Sequence, residues 1–200
     1  FDEFPGVRRA DNMEMSDEQY AEYVSYSFAT RPLCKQEAEM TADFIASRPE
    51  WQRVVLMRGS KAHDKIHTRI LRARLAVLAD PANPDNPLRA TPWTGTIIDI
   101  DPATEAADDY EMEYGSDWGA HLRTVAALGP DAVFFHLNGD STNFEFLEQA
   151  RLENFAPAIV TCNMSEKQEL LDPGNPGIVD WLAGKLWVVG RRAVRGDAYN

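Results

Sequence analysis

Basic residues are scarce in this chain. Twenty lysines and arginines stand against 32 aspartates and glutamates, a formal net charge of −12 over 200 residues. That balance repels a phosphate backbone, which excludes nucleic acid as the main partner but not a small anion held by backbone amides. Cysteine is sparse as well. Cys34 and Cys162 lie far apart and fit no metal-ligand spacing, so neither a disulfide scaffold nor a cysteine-rich metal module is available, and reduced thiols are expected. No apolar run approaches the ~20 residues of a membrane span, so no membrane partner is expected. Repeats and low-complexity tracts are missing too. The chain opens on Phe1 rather than Met and shows no secretory leader pattern. The start reads as that of a trimmed or internal piece, and the reduced thiols suggest a cytoplasmic protein. A chain this long buries well over half of its unfolded surface without staples.

What is present is organised around Asp131–Met164. Ala132–Leu137 is a short apolar run with the β-formers Val133, Phe134 and Phe135, the signature of a strand buried on both faces. Asn138, Gly139 and Asp140 break it. Thr142 to Glu145 has capping-box spacing, which predicts a helix start, and Pro157 stops that helix before the apolar strand Ala158–Cys162. Two strands joined by a helix make a right-handed βαβ unit.

The rest extends this unit. Residues 1–15 read as a polar arm, 17–28 as a helix and Pro32 to Ala46 as another. These make an annex over residues 1–50, with the α/β domain over 51–200. Arg53–Met57 is a strand and Lys61–Ala79 a helix, whose stripe holds His63, Ile66, His67, Ile70, Leu71, Leu75 and Leu78. Pro81, Pro84, Pro87 and Pro92 mark a surface loop. Trp93–Asp101 is the second strand. The acidic stretch Asp108–Asp117 reads as a solvated helix face and loop. Ala120–Leu128 is a helix, Ser165–Gln168 begins a helical piece, Ile178–Ala183 is a helix closed by Gly184, and Leu186–Gly190 is the last strand. Strands alternating with helices predict an α/β doubly wound, mostly parallel sheet.

Ligands of such sheets meet the carboxyl ends of strands. That rule selects Gly59, Ser60, Asp99, Asp101, His136, Asn138, Asp140, Cys162 and Asn163. Asp99 or Asp101 could accept hydrogen bonds from both hydroxyls of a ribose. As an Asp-x-Asp pair they could instead serve a metal-dependent hydrolase. His136, flanked by Asn138 and Asp140, stands where a general base could act. His63 and His67, one helical turn apart, could share a metal. Both lie on the apolar stripe, so a packed histidine pair without metal is the expectation.

Pro92-Trp93-Thr94-Gly95-Thr96-Ile97-Ile98-Asp99-Ile100-Asp101-Pro102, then His136-Leu137-Asn138-Gly139, then Ala156-Pro157, and finally Lys185–Gly190 with Gly196–Asn200 together resemble the FkbM-type methyltransferase family. The resemblance runs from about Tyr23 to Asn200. It implies a Rossmann-like, class I methyltransferase-like fold whose last hairpin is cut here before its final strand. The implied activity is O-methylation of a hydroxyl of a sugar, glycan or small metabolite. S-adenosylmethionine would be the cofactor, with Gly59 and Ser60 facing it, Asp99 on its ribose and His136 at the acceptor. The family's first loop carries more glycine than Met57–His63 offers, and its acids stand where His136 and Asn138 are found here. A non-catalytic binding or assembly module on the same fold is the alternative.

Overall fold

The computed structural model describes residues 34–98, 110–112, 115–137, 140–162 and 176–189. The N-terminal arm, the 17–28 helix, the 165–168 piece and residues 190–200 lie outside these. The elements run α1 (Cys34–Ala46), β1 (Arg53–Gly59), α2 (Ala62–Ala79), β2 (Thr96–Ile97), β3 (Tyr110–Met112), α3 (Trp118–Ala127), β4 (Ala132–His136), α4 (Asp140–Leu152), β5 (Ala158–Thr161), α5 (Pro176–Leu182) and β6 (Leu186–Val188).

Every described strand pairing is parallel. β2 and β3 share one edge of β1: Arg53 pairs with Thr96 near its start, and Met57 pairs with Tyr110 near its end. The sheet then continues through β4 and β5 to β6. Counting β2 and β3 as one interrupted edge position, the positions in chain order read 2-1-3-4-5, one of the two common doubly wound orders. The expected α/β fold is therefore present.

The strands do not read as alternating because both faces are covered. Val54, Leu56, Ala132, Phe134 and Val160 point to α1 and α2, with Leu71, Leu75 and Leu78. Val55, Met57, Val133, Phe135 and Ile159 point the other way, to α3, α4 and α5, with Leu122, Phe146 and Ile178. Asp131 fixes the entry to β1 by accepting from the backbone N–H of Gln52 and Arg53, at 2.9 and 2.8 Å. Buried Asn86 donates to the carbonyls of Leu78 and Asp80, at 3.1 and 2.9 Å, so the proline-rich loop is tied to the end of α2.

Three elements differ from the sequence reading. Among the described residues the second strand is Thr96–Ile97 rather than starting at Trp93, because Trp93 folds over Gly95, where a Cβ would overlap the indole; residues 99–101 lie outside those described. A strand, β3, forms inside the acidic stretch read as helix face and loop. Met112 is fully buried there and Glu111 finds a cation across the strand pair. α4 starts at Asp140, ahead of the capping-box Thr142, and within it buried Asn143 donates to the carbonyl of Leu137, at 3.2 Å. Gly184 has φ +75 and closes α5 as expected.

Phe134 is fully buried, so Phe134→Ala should cost about 3–5 kcal/mol in urea unfolding. Met40→Ala, on the exposed side of α1, should stay within about 0.5 kcal/mol. Equal costs at the two sites would contradict this assignment of the core.

Candidate functional site: a polar row at the carboxyl edge

Register places the site. Arg58 is the partner of Glu111 across β1 and β3, and of His136 across β1 and β4. Phe134 is the partner of Val160, so two residues further on His136 lies beside Cys162. Side chains two apart on a strand share a face. Arg58, His136 and Cys162 each follow by two a core residue facing α2, namely Leu56, Phe134 and Val160. The result is a row, Glu111–Arg58–His136–Cys162, across four neighbouring strands beneath α2.

α2 and α1 complete it from above. Asp64 and His136 are both fully buried, with Asp64 Oδ1 3.2 Å from His136 Nδ1. The His67 ring stacks on that of His136, centroids 4.1 Å apart and planes at 26°. Glu37 of α1 brings Oε2 to 3.7 Å from His67 Nε2. The Cys162 thiol is buried in the same layer. His67 is buried against the sheet as expected, and it stacks on His136 from β4; the side chain of His63 lies outside the described residues. A helical turn sets spacing along α2, whereas the sheet beneath supplies the contact.

At the outer end of the row the chemistry is exposed and ionic. Glu111 binds the Arg58 guanidinium and, at 3.1 Å, the Lys65 ammonium. Partial burial pushes the Glu111 carboxyl up, but hydrogen bonds and charge from Arg58 and Lys65 outweigh it and hold the carboxyl below the usual range.

Of the residues selected from sequence, Gly59 is buried at the end of β1, Ser60 follows it half-exposed, and His136 is buried at the end of β4. Asp140 begins α4. Asp99, Asp101, Asn138 and Asn163 lie outside the described residues. Buried beneath α2, His136 belongs to the helix–sheet layer rather than to an open strand-end pocket where an acceptor could reach a general base. Arg58, Glu37 and Glu111 escape the strand-end rule. The parity of Arg58 with Leu56 could have found the first, but Glu111 and Glu37 needed the pairing and the helix packing. A cleft of about 310 Å³ lies at the opposite end of the sheet, lined by residues that include Ala46, Gln52, Leu88 and Trp93, and carries no cluster of titratable groups.

The sheet order and this edge frame the likenesses to solved structures. No family model and no curated protein matches the sequence. A leucine-, isoleucine-, valine-, threonine- and alanine-binding protein from Brucella ovis superposes with TM-score 0.50 at 11% identity, over 74% of this chain and 33% of that one. An ABC transporter substrate-binding protein from Desulfitobacterium hafniense in complex with Leu gives 0.47 at 14% identity, over 78% and 44%. An extracellular ligand-binding receptor from Verminephrobacter eiseniae gives 0.46 at 14%, over 68% and 32%. This chain thus spans between a third and a half of their lengths. At such identity the Brucella likeness establishes the fold.

The methyltransferase expectation is corrected here. The likeness that establishes the fold is to an amino-acid-binding protein, not to a methyltransferase, and the hairpin the resemblance implies falls largely on residues outside those described. Short apolar strands ending in polar residues are common to doubly wound folds of many functions, which is why those motifs misled. S-adenosylmethionine enters only through that resemblance, and Asp99, the residue implied for its ribose, lies outside the described residues.

Two outcomes follow from the edge. Asp64→Ala removes one partner of a buried pair and should cost about 3–5 kcal/mol in urea unfolding. Asp43→Ala breaks the exposed Arg74–Asp43 pair and should cost no more than about 1 kcal/mol. For Glu111 the folded carboxyl titrates lower than the unfolded one, so the unfolded chain binds more protons and stability rises with pH in that window. Its contribution is present above the ordinary value of 4.5 and is lost as pH falls through the lowered folded value. Glu111→Gln should therefore flatten the acid limb of a stability–pH profile. A variant limb as steep as the parent's would show that Glu111 carries no such linkage.

Proposed function

We propose that this chain is a solute-binding lobe that takes a small, amino-acid-sized ligand at the carboxyl ends of β1 and β3. The observation that carries this reading is the fold shared with the Brucella ovis amino-acid-binding protein over 74% of the chain. The edge chemistry supports it. Exposed Lys65 and Glu111 set an ammonium and a carboxylate side by side, and the half-exposed Ser60 hydroxyl stands at the end of β1 on the same edge. A zwitterion presents the complementary set: its carboxylate would meet Lys65 and Ser60, and its ammonium Glu111. The binding-module alternative raised by the sequence is thereby given a ligand class, while the glycan and Asp-x-Asp hydrolase readings gain no support from the described residues. Among these residues no helix is long and apolar enough to cross a membrane. Burial shields the Cys162 thiol in any compartment, so the cytoplasmic expectation gains nothing from it.

The test is thermal unfolding of the chain against a panel of free L-amino acids. At a hundredfold excess over Kd a ligand adds about 2.7 kcal/mol, a rise of roughly 5–10 °C for a domain this size. Glu111→Ala should weaken the ligand by at least about tenfold. Folded protein that shows no shift with any amino acid at millimolar concentration would refute the reading.

A further inference from the structure

We propose that His67, His136 and Cys162 form a site for one zinc-type transition-metal ion, buried between α2 and the sheet and distinct from the solute edge. Their ligand atoms all lie within 4.8 Å of one another, and all three residues are buried. Two imidazoles and a thiol are the donor set of a borderline-soft ion such as Zn²⁺ or Co²⁺. Hard Mg²⁺ and Ca²⁺ take oxygen instead.

The surroundings carry the inference further than proximity does. Metal-ligating histidines are held by carboxylates on their second ring nitrogen, which fixes the tautomer and raises ligand basicity. Asp64 Oδ1 stands 3.2 Å from His136 Nδ1, which directs Nε2 to the ion. Glu37 Oε2, 3.7 Å from His67 Nε2, sets a second carboxylate beside the other imidazole. The five residues come from α1, α2, the end of β4 and the residue after β5, and apolar side chains such as Leu71 and Val160 pack in the same layer. A divalent ion there would add positive charge beside a thiolate and two buried carboxylates.

The stacked rings define what binding must change. An ion lies in the plane of each imidazole that ligates it, and planes at 26° with centroids 4.1 Å apart do not meet at a common ion. One ring must turn about its Cβ–Cγ bond. The donor separations must close to roughly 3.3–3.6 Å, the tetrahedral edge set by Zn–N and Zn–S bond lengths. Binding takes the proton from the Cys162 thiol and releases it to solvent, forming the metal–sulfur bond. Three protein ligands leave the fourth position to water or a small anion, as in open zinc sites.

Cobalt titration of tag-free protein tests this, because a thiolate ligand gives a near-ultraviolet charge-transfer band that imidazole and carboxylate do not. The expected result is a band saturating at one equivalent and displaced by zinc, together with a metal-dependent rise in melting temperature. Cys162→Ser should abolish the band, and Cys34→Ser should keep it. Asp64→Asn should weaken cobalt about 10–100-fold while retaining the band. Folded parent protein that binds no cobalt, or binds it without the charge-transfer band, overturns the proposal whatever the variants do. So does a band that survives Cys162→Ser and disappears in Cys34→Ser.

Discussion

The parallel pairing of β1 with β4 and of β4 with β5 is the constraint on which the rest depends. Parallel strands need crossovers, the crossovers cover both faces, and strands so covered have room only for apolar side chains. Val54–Met57 and Ala132–Phe135 obey this along their length. Polar groups are displaced to the strand ends, and because all described strands run the same way their carboxyl ends share one edge. Register does the rest: Arg58 is the partner of both Glu111 and His136, so residues dispersed over the chain become a row.

The row divides by burial into two kinds of chemistry. Glu111 and Lys65 sit where water reaches, so their charges are screened and a polar ligand can exchange with them, while Arg58 is buried behind Glu111. His136, Asp64, His67, Glu37 and Cys162 sit under α2, where charge separation is costly and partners must be internal. One edge of the sheet thus presents an exchangeable ionic rim and a sealed cluster of imidazoles, carboxylates and a thiol. The solute reading concerns the rim and the metal inference the cluster.

The likeness to binding proteins and the failure of the methyltransferase motifs have one source. Doubly wound sheets place ligands at carboxyl edges whatever the reaction. A tryptophan, a glycine and an acid near a strand therefore fit several families. In this chain Trp93 and Gly95 serve local packing, the indole lying over the glycine. Strand order is the more discriminating property, and it follows from which elements pair rather than from any short motif.

By itself the sequence determined the alternation of strands and helices, and with it the fold class. Unbroken apolar runs such as Val133–Phe135 and the stripe Leu71, Leu75, Leu78 have one stable solution, a covered parallel sheet. It also determined that the polar residues at the ends of β1 and β4, Ser60 and His136, would mark the carboxyl edge. Tertiary structure alone decided that the acidic stretch holds a strand, because β3 is stabilised by Arg58 and by burial of Met112, both supplied from elsewhere in the chain. It alone decided that His67 meets His136, and that Glu37, Asp64 and Cys162 join them. Local spacing sets which residues share a face of one element, whereas register and helix packing set which faces meet. Those long-range choices leave no periodic trace in a single sequence.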